Sequence, residues 1–311
     1  MKKLLIFRFM TFLLLSTFFV FPVTAQMLSP VTKAEIDTKK ACAVEITDLI
    51  TGTFNAYCIC IPKETPHTDF SYHYEHTFVI DTKNNLYAMS VPGEKKEVNG
   101  SISLFDGFSG SQDEQFFILT KDTDKWGAFW REAEIYCIKN GIASKIHFCK
   151  LESSNNDGIK KSTLALKKVN NKLYLIQTEW ESLCSNEGMF LISVYTLTPS
   201  GNSYSVNRTG YYCLTGSSDI QFSSNQDDWY YTLNDTHINM RTEPSLNGAK
   251  IITLEGNEHL KYLDVYPETT SVGGKPGLWI KMEATATDGA SYRGYVWPEY
   301  LTTSDYDPSL K

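Results

Sequence analysis

The stretch "INMRTEPSLNGAKII", residues 238–252, places an arginine, a proline and an Asn-Gly pair between two short apolar runs. Ile238 and Met240 alternate with Asn239 and Arg241, which is the period of a strand with one face for a core and one for solvent. Pro244 fixes φ where the chain turns, Asn247-Gly248 offers residues that accept positive φ, and Ile251 and Leu254 read as the returning strand. Two later blocks extend the pattern: "LWIKM", residues 278–282, and "GYVWPEYL", residues 294–301, with Asp288-Gly289 as the hairpin turn between them. The apolar residues of these blocks, among them Val265, Trp279, Ile280, Met282, Tyr295, Val296 and Leu301, are enough for a small barrel that needs no cysteine.

In this order and across residues 229–303, the three blocks resemble the bacterial SH3-like domains. That family has a first strand of the form Ile/Val-Asn-Val/Met-Arg followed by a Pro-Ser step, a central Trp-x-Lys strand, and a closing Gly-Trp/Tyr-Val with Tyr-Leu a few residues on. Two departures stand out: "DVYPETTSVGGKPG" is a long insertion, and Tyr295 occupies a position where the family usually has Trp. The resemblance implies a non-catalytic binding barrel of an exported bacterial protein, contacting cell-wall peptide or another envelope protein. By analogy with aromatic-lined peptide grooves, it implies Tyr266, Trp297 and Tyr300 as binding residues and Arg241 as the partner of a carboxylate. Each has a plainer role open to it: Arg241 as a brace for the following loop, Tyr300 as a barrel closure.

Residues 1–25 read as a secretory leader. Lys2, Lys3 and Arg8 precede an apolar run, and Val23-Thr24-Ala25 is a cleavage pattern. The run is short for a membrane span, and no comparable run follows, so an exported chain without stable membrane insertion is expected, in the periplasm or the medium. The full chain has 29 basic and 36 acidic residues, a net charge of −7, and loss of the leader makes it more acidic. That balance argues against nucleic acid and anionic lipid as partners. A chain of 311 residues suggests two domains. The polar stretch "GSSDIQFSSNQDD" marks residues 216–228 as a linker between a β-rich domain at 26–215 and the SH3-like domain at 229–303, with a tail at 304–311.

Strand signals dominate the first domain. "TFVIDTKNNLYAMSV" and "TLALKKVNNKLYLIQTEW" each set Asn-Asn between β-prone runs, and "FFILTKDTDKWGAFW" and "FLISVYTLTPSGNSYSV" repeat the arrangement with longer polar turns. Turn centres are expected near residues 84, 124, 170 and 200. The fold class is therefore all-β, with an antiparallel meander closed as a barrel or sandwich, and a propeller-like repeat less favoured because the spacing is irregular. Residues 34–49 allow either a helix or a strand at "CAVEI".

Seven cysteines, Cys42, Cys58, Cys60, Cys137, Cys149, Cys184 and Cys213, all precede the SH3-like region. Export permits disulfides, an odd number leaves one unpaired, and apolar neighbours make buried thiols an equal reading. His67, His73 and His76 cluster with Glu75, but strand alternation denies His73 and His76 a common metal, and no metal or other cofactor is expected. Cys149 with His147, or Cys60 with His67, would be needed for thiol catalysis, yet no Asp-Cys-Ser-Gly turn accompanies them. Carboxylate pairs such as Glu132 with Glu134 and Glu179 with Glu181 have the spacing that surface acids produce by chance. The expectation is a non-catalytic envelope binding protein. A hydrolase with residues 26–215 catalytic, and a structural or sensory protein acting through that domain, are the alternatives.

Overall fold

A computed structural model describes residues 28–305 except for 51–54, 64–72, 83, 94–95, 98–99, 106–113, 126–127, 156–157, 184–187, 217–219, 223–228, 233–236, 255–258, 286–288 and 299–303. The leader expected at residues 1–25, His67, Cys184 and Tyr300 lie outside the described residues.

The first unit holds β1 (Ser29–Val31), α1 (Lys33–Ala41), β2 (Glu45–Ile50), β3 (Asn55–Pro62), β4 (Tyr74–Asp81) and β5 (Leu86–Gly93), its sheet ordered β1-β5-β4-β3-β2. Residues 34–49 thus hold both a helix and a strand. The helix starts at a capping box: Glu35 N donates to the Thr32 hydroxyl and the Glu35 carboxylate accepts from Thr32 N. Ile36 of α1 packs with Tyr57, Ile59 and Val79 on one face of the sheet.

The centre of the molecule is an antiparallel meander that holds three of the four hairpins expected in it, the one at residues 77–91 being β4–β5 of the first sheet: β6 (Gly100–Leu104), β7 (Glu114–Lys125), β8 (Ala128–Lys139), β9 (Ile142–Asn155), β10 (Gly158–Val169), β11 (Lys172–Leu183), β12 (Gly188–Ser200) and β13 (Ser203–Gly216). Each strand pairs antiparallel with its neighbour in sequence. Asn170 and Asn171, with φ of 48° and 62°, turn β10 into β11 as the Asn-Asn signal predicts. β9 and β10 pair only over residues 152–155 and 158–161, and the sheet folds on itself there. Phe116, Ile135 and Cys149 from one half then meet Leu166, Leu175 and Leu197 from the other. Among the described residues no strand closes the sheet into a barrel.

The third unit comprises β14 (Ile220–Phe222), β15 (Trp229–Thr232), β16 (Ile238–Arg241), β17 (Lys250–Leu254), β18 (His259–Val265), β19 (Thr270–Val272), β20 (Lys275–Gly277), β21 (Ile280–Thr285) and β22 (Ser291–Val296). Its main sheet runs β14-β15-β18-β21-β22-β16-β17, while β19 and β20 form a separate hairpin within the long insertion. A last strand, β23 (Ser304–Asp305), leaves this unit and pairs with β13.

Burial explains why the meander reads as unbroken apolar runs. In "EIYCI", Ile135 and Cys137 enter the core between the two halves, while Tyr136 and Ile138 enter a second core shared with Phe78, Ile80 and Met89 of the first sheet. In "KLYLI", Leu173 and Leu175 face the first of these cores, and Tyr174 and Ile176 join Met240, Leu278, Ile280 and Val296 of the third unit. Both faces of the central sheet are covered, so alternation of polar and apolar residues is lost.

Candidate functional site

The three motif blocks lie on adjacent strands. Arg241 of β16 stands opposite Tyr295 of β22, Tyr295 opposite Lys281 of β21, and Lys281 opposite Asp264 of β18. Met240, Ile280, Met282 and Val296, which alternate with these residues, are buried in the core shared with the meander. The row Arg241–Tyr295–Lys281–Asp264 therefore lies on the face turned away from that core, with each member half-buried. The Lys281 ammonium is 5.9 Å from the centre of the Tyr295 ring. Burial, and then the nearby Asp264 carboxylate, raise the Tyr295 hydroxyl above its ordinary pKa.

Two glycines set this geometry. A Cβ on Gly294 would come within 2.5 Å of Met240 Cγ and 2.7 Å of the Arg241 carbonyl oxygen, so only glycine lets β22 approach β16 this closely. Neither Asn247 nor Gly248 has positive φ, contrary to the expectation for that turn. Gly248 is needed for space instead, since its Cβ would meet the Glu243 carbonyl at 2.9 Å. Its own carbonyl accepts a 2.8 Å hydrogen bond from Arg241 Nη1, so Arg241 does brace the loop.

Beside the row, Tyr266 N donates to the Trp279 carbonyl at 2.8 Å and the Tyr266 hydroxyl donates to Glu268 at 3.0 Å. Glu268 also accepts from Asn170 Nδ2 at 2.9 Å and from the Tyr174 hydroxyl at 3.3 Å. Burial opposes its ionisation, but the hydrogen bonds from Tyr266, Asn170 and Tyr174 outweigh it and hold the carboxyl below its ordinary pKa. From β10, Lys167 reaches the Val265 carbonyl at 3.1 Å and pairs with Asp264. The β10–β11 hairpin of the meander thus forms one wall of this region.

Of the binding residues expected from the sequence, Arg241 is the first member of the row and Tyr266 lies beside its other end, two residues on from Asp264. Trp297 is only 4 % exposed, packed edge-on to Trp279 with ring centres 5.3 Å apart and against Gly277, so it supports the site from beneath. Lys281 and Tyr295 were not singled out as binding residues. Tyr295 had been counted in the apolar mass of the barrel, and instead lies on the face away from the core; the signal for it and for Lys281 was the polar phase of "LWIKM" and "GYVW".

Where their members are described, the other constellations have structural roles or unsuitable electrostatics. Burial, followed by the Glu179 charge, raises the Cys149 thiol to about 12, and burial lowers the His147 imidazole pKa, so the pair does not exist as thiolate and imidazolium at neutral pH. Cys58 and Cys137 are likewise raised to about 12. Cys58, Cys60, Cys137 and Cys149 are buried free thiols, Cys42 is an exposed one, and Cys213 lies on β13. Glu134 is buried, accepting from the Tyr136 hydroxyl at 2.8 Å and pairing with Lys121 at 3.2 Å, while Glu179 pairs with Lys160. Glu75 is held by Lys39 and Lys63 at 2.6 and 2.7 Å. Among the described residues no three His, Cys, Asp or Glu side chains gather as a metal site.

No protein-family model, no curated protein and no solved structure matches this chain.

Proposed function

We propose that the protein is exported to the bacterial cell envelope and there, without catalysing a reaction, recognises peptides that carry a free carboxylate, either in the cell wall or on an envelope protein. The observation that carries this reading is the row Arg241–Tyr295–Lys281, in which an aromatic ring sits between two cations on the face turned away from the core. A ring so flanked takes an apolar side chain on its surface while either cation takes the carboxylate. The pairing of the first strand of the SH3-like region with its last, through Arg241 and Tyr295, supports the family resemblance. The leader at residues 1–25 supports export.

The test is a titration of the mature chain, residues 26–311, with short wall-derived peptides bearing either a free or an amidated terminus. The free carboxylate is expected to bind about tenfold tighter, which is about 1.4 kcal/mol. Lys281→Gln is expected to remove most of that preference while leaving the circular dichroism spectrum unchanged. Equal binding of both peptides by the unaltered chain would sink the carboxylate reading, and release of wall fragments by the purified protein would sink the non-catalytic one.

A further inference from the structure

Trp297 lies two residues beyond Tyr295, and Trp279 two residues before Lys281. Their edge-on indole pair continues the face that carries the row, and neither ring belongs to the core shared with the meander. Here, however, the face is covered. β19 and β20 make a two-stranded sheet of their own, turned at Gly273 and Gly274 with φ of 61° and 83°, and its last residue, Gly277, lies against Trp297. A Cβ on Gly277 would stand 2.7 Å from the six-membered ring of that indole, so glycine lets the hairpin close this far. Thr270 stands opposite Gly277 in the hairpin, and its side chain therefore points to the same side.

Beneath this cover two polar atoms are buried with no hydrogen-bond partner among the described residues: the Trp297 indole nitrogen and the Thr270 hydroxyl. An indole N–H only donates and a hydroxyl can donate, so one carbonyl oxygen, with its two lone pairs, satisfies both, from the strand below and from the hairpin above. A buried donor without an acceptor costs its desolvation with nothing in return. A two-stranded hairpin is marginally stable by itself, so it can lift from the indole and close again on an acceptor.

We propose that the β19–β20 hairpin is a flap over a second subsite, in which Trp297 Nε1 and the Thr270 hydroxyl together bind a backbone carbonyl of the peptide. The proposal rests on the reading of the row as a carboxylate site, and it sharpens the class of ligand. Tyr295 and Trp297 are one strand repeat apart, about 6.8 Å, which in an extended peptide is the spacing between the terminal carboxylate and the carbonyl two residues before it. The ligand is then an extended peptide with a free C-terminus, read over its last three residues, and the long insertion is the part of the barrel that closes on it.

The experiment titrates the mature chain, residues 26–311, with two probes. Acetyl-alanine offers a carboxylate and one carbonyl, and acetyl-alanyl-alanine adds the carbonyl two residues before the carboxylate. The longer probe is expected to bind about tenfold tighter, and to slow hydrogen exchange at residues 270–277. Thr270→Val and Trp297→Phe, each of which removes one donor and keeps most of the shape, are expected to bring the longer probe down to the affinity of the shorter, with circular dichroism confirming the fold. Should Trp297→Phe fail to fold, Thr270→Val decides. Equal binding of the two probes, an advantage that survives substitution, or exchange in the hairpin that the longer probe leaves unchanged overturns the flap while the row stands. If the longer probe and its amide bind alike, yet both are weakened by Thr270→Val, the row falls and the subsite stands. Binding of neither probe overturns both.

Discussion

Gly294 shows how one missing methyl group decides a strand crossing. A Cβ there meets Met240, the Arg241 carbonyl and Ile251 Cδ1, the last at 2.7 Å, and two of these three contacts are side chains in or against the core. Gly294→Ala is expected to destabilise the protein by about 1–3 kcal/mol, the range for forcing extra volume into a packed interior. Urea denaturation with an unchanged midpoint would show that β22 can move away from β16 at no cost. Glu75 allows a test by pH. Burial raises its pKa, but hydrogen bonds from Lys39, Lys63 and Ser90 bring it down to about 2 from an ordinary value of 4.5. Because the folded value is depressed, the stabilisation is fully present above pH 4.5 and is lost as pH falls through 2. Melting temperatures measured across that window should fall less steeply for Glu75→Gln than for the natural chain.

Among elements, the β10–β11 hairpin has two duties. Asn170 and Asn171 both occupy the left-handed region, which costs an alanine about 1–2 kcal/mol. Asn170 also donates to Glu268. Asn170→Ala is therefore expected to destabilise the fold by about 1–2 kcal/mol, whereas Asn171→Gly should leave it as stable or better, as equilibrium denaturation would report. The Asn-Asn turn was legible in the sequence because turn chemistry is local. The same holds for the reversals near residues 84, 124 and 200, and for the strand at residues 238–241. The Asn247-Gly248 turn was misread because the demand on Gly248 comes from Glu243, placed by the loop's own path rather than by backbone handedness. The meander was expected to close as a barrel or a sandwich, and among the described residues no barrel closes. The sheet instead folds where β9 and β10 part, and no short-range signal in residues 152–161 announces it.

At the scale of the molecule, the third unit and the meander share one core. Leu278 is fully buried, and it lies so close to Gly210 of β13 that a Cβ there would stand 3.1 Å from its methyl group. Leu278→Ala is expected to cost about 2–5 kcal/mol and to lower the stability of both parts together, seen in calorimetry as a single transition displaced to lower temperature. Two resolved transitions, with only one displaced, would show that the parts unfold separately. The shared core also explains what remained hidden of the candidate site. Arg241 and Tyr266 could be named from their types and motif, but the sequence does not state that Tyr295 lies between Arg241 and Lys281. That follows from the register of β16, β22 and β21, and the wall beside it comes from a hairpin of another unit.

The consecutive pairing of the meander also orders events in time. Each strand from β7 to β13 bonds to the one made just before it, so each step closes a short loop at a low entropic cost and can proceed as the chain emerges. β16 must wait for β22, and the edge of β13 must wait for the last residues of all. During that interval the core residues of β11 to β13 are uncovered. The newly made chain is then most exposed to wrong association, and a chaperone that binds it would have most to protect at that stage.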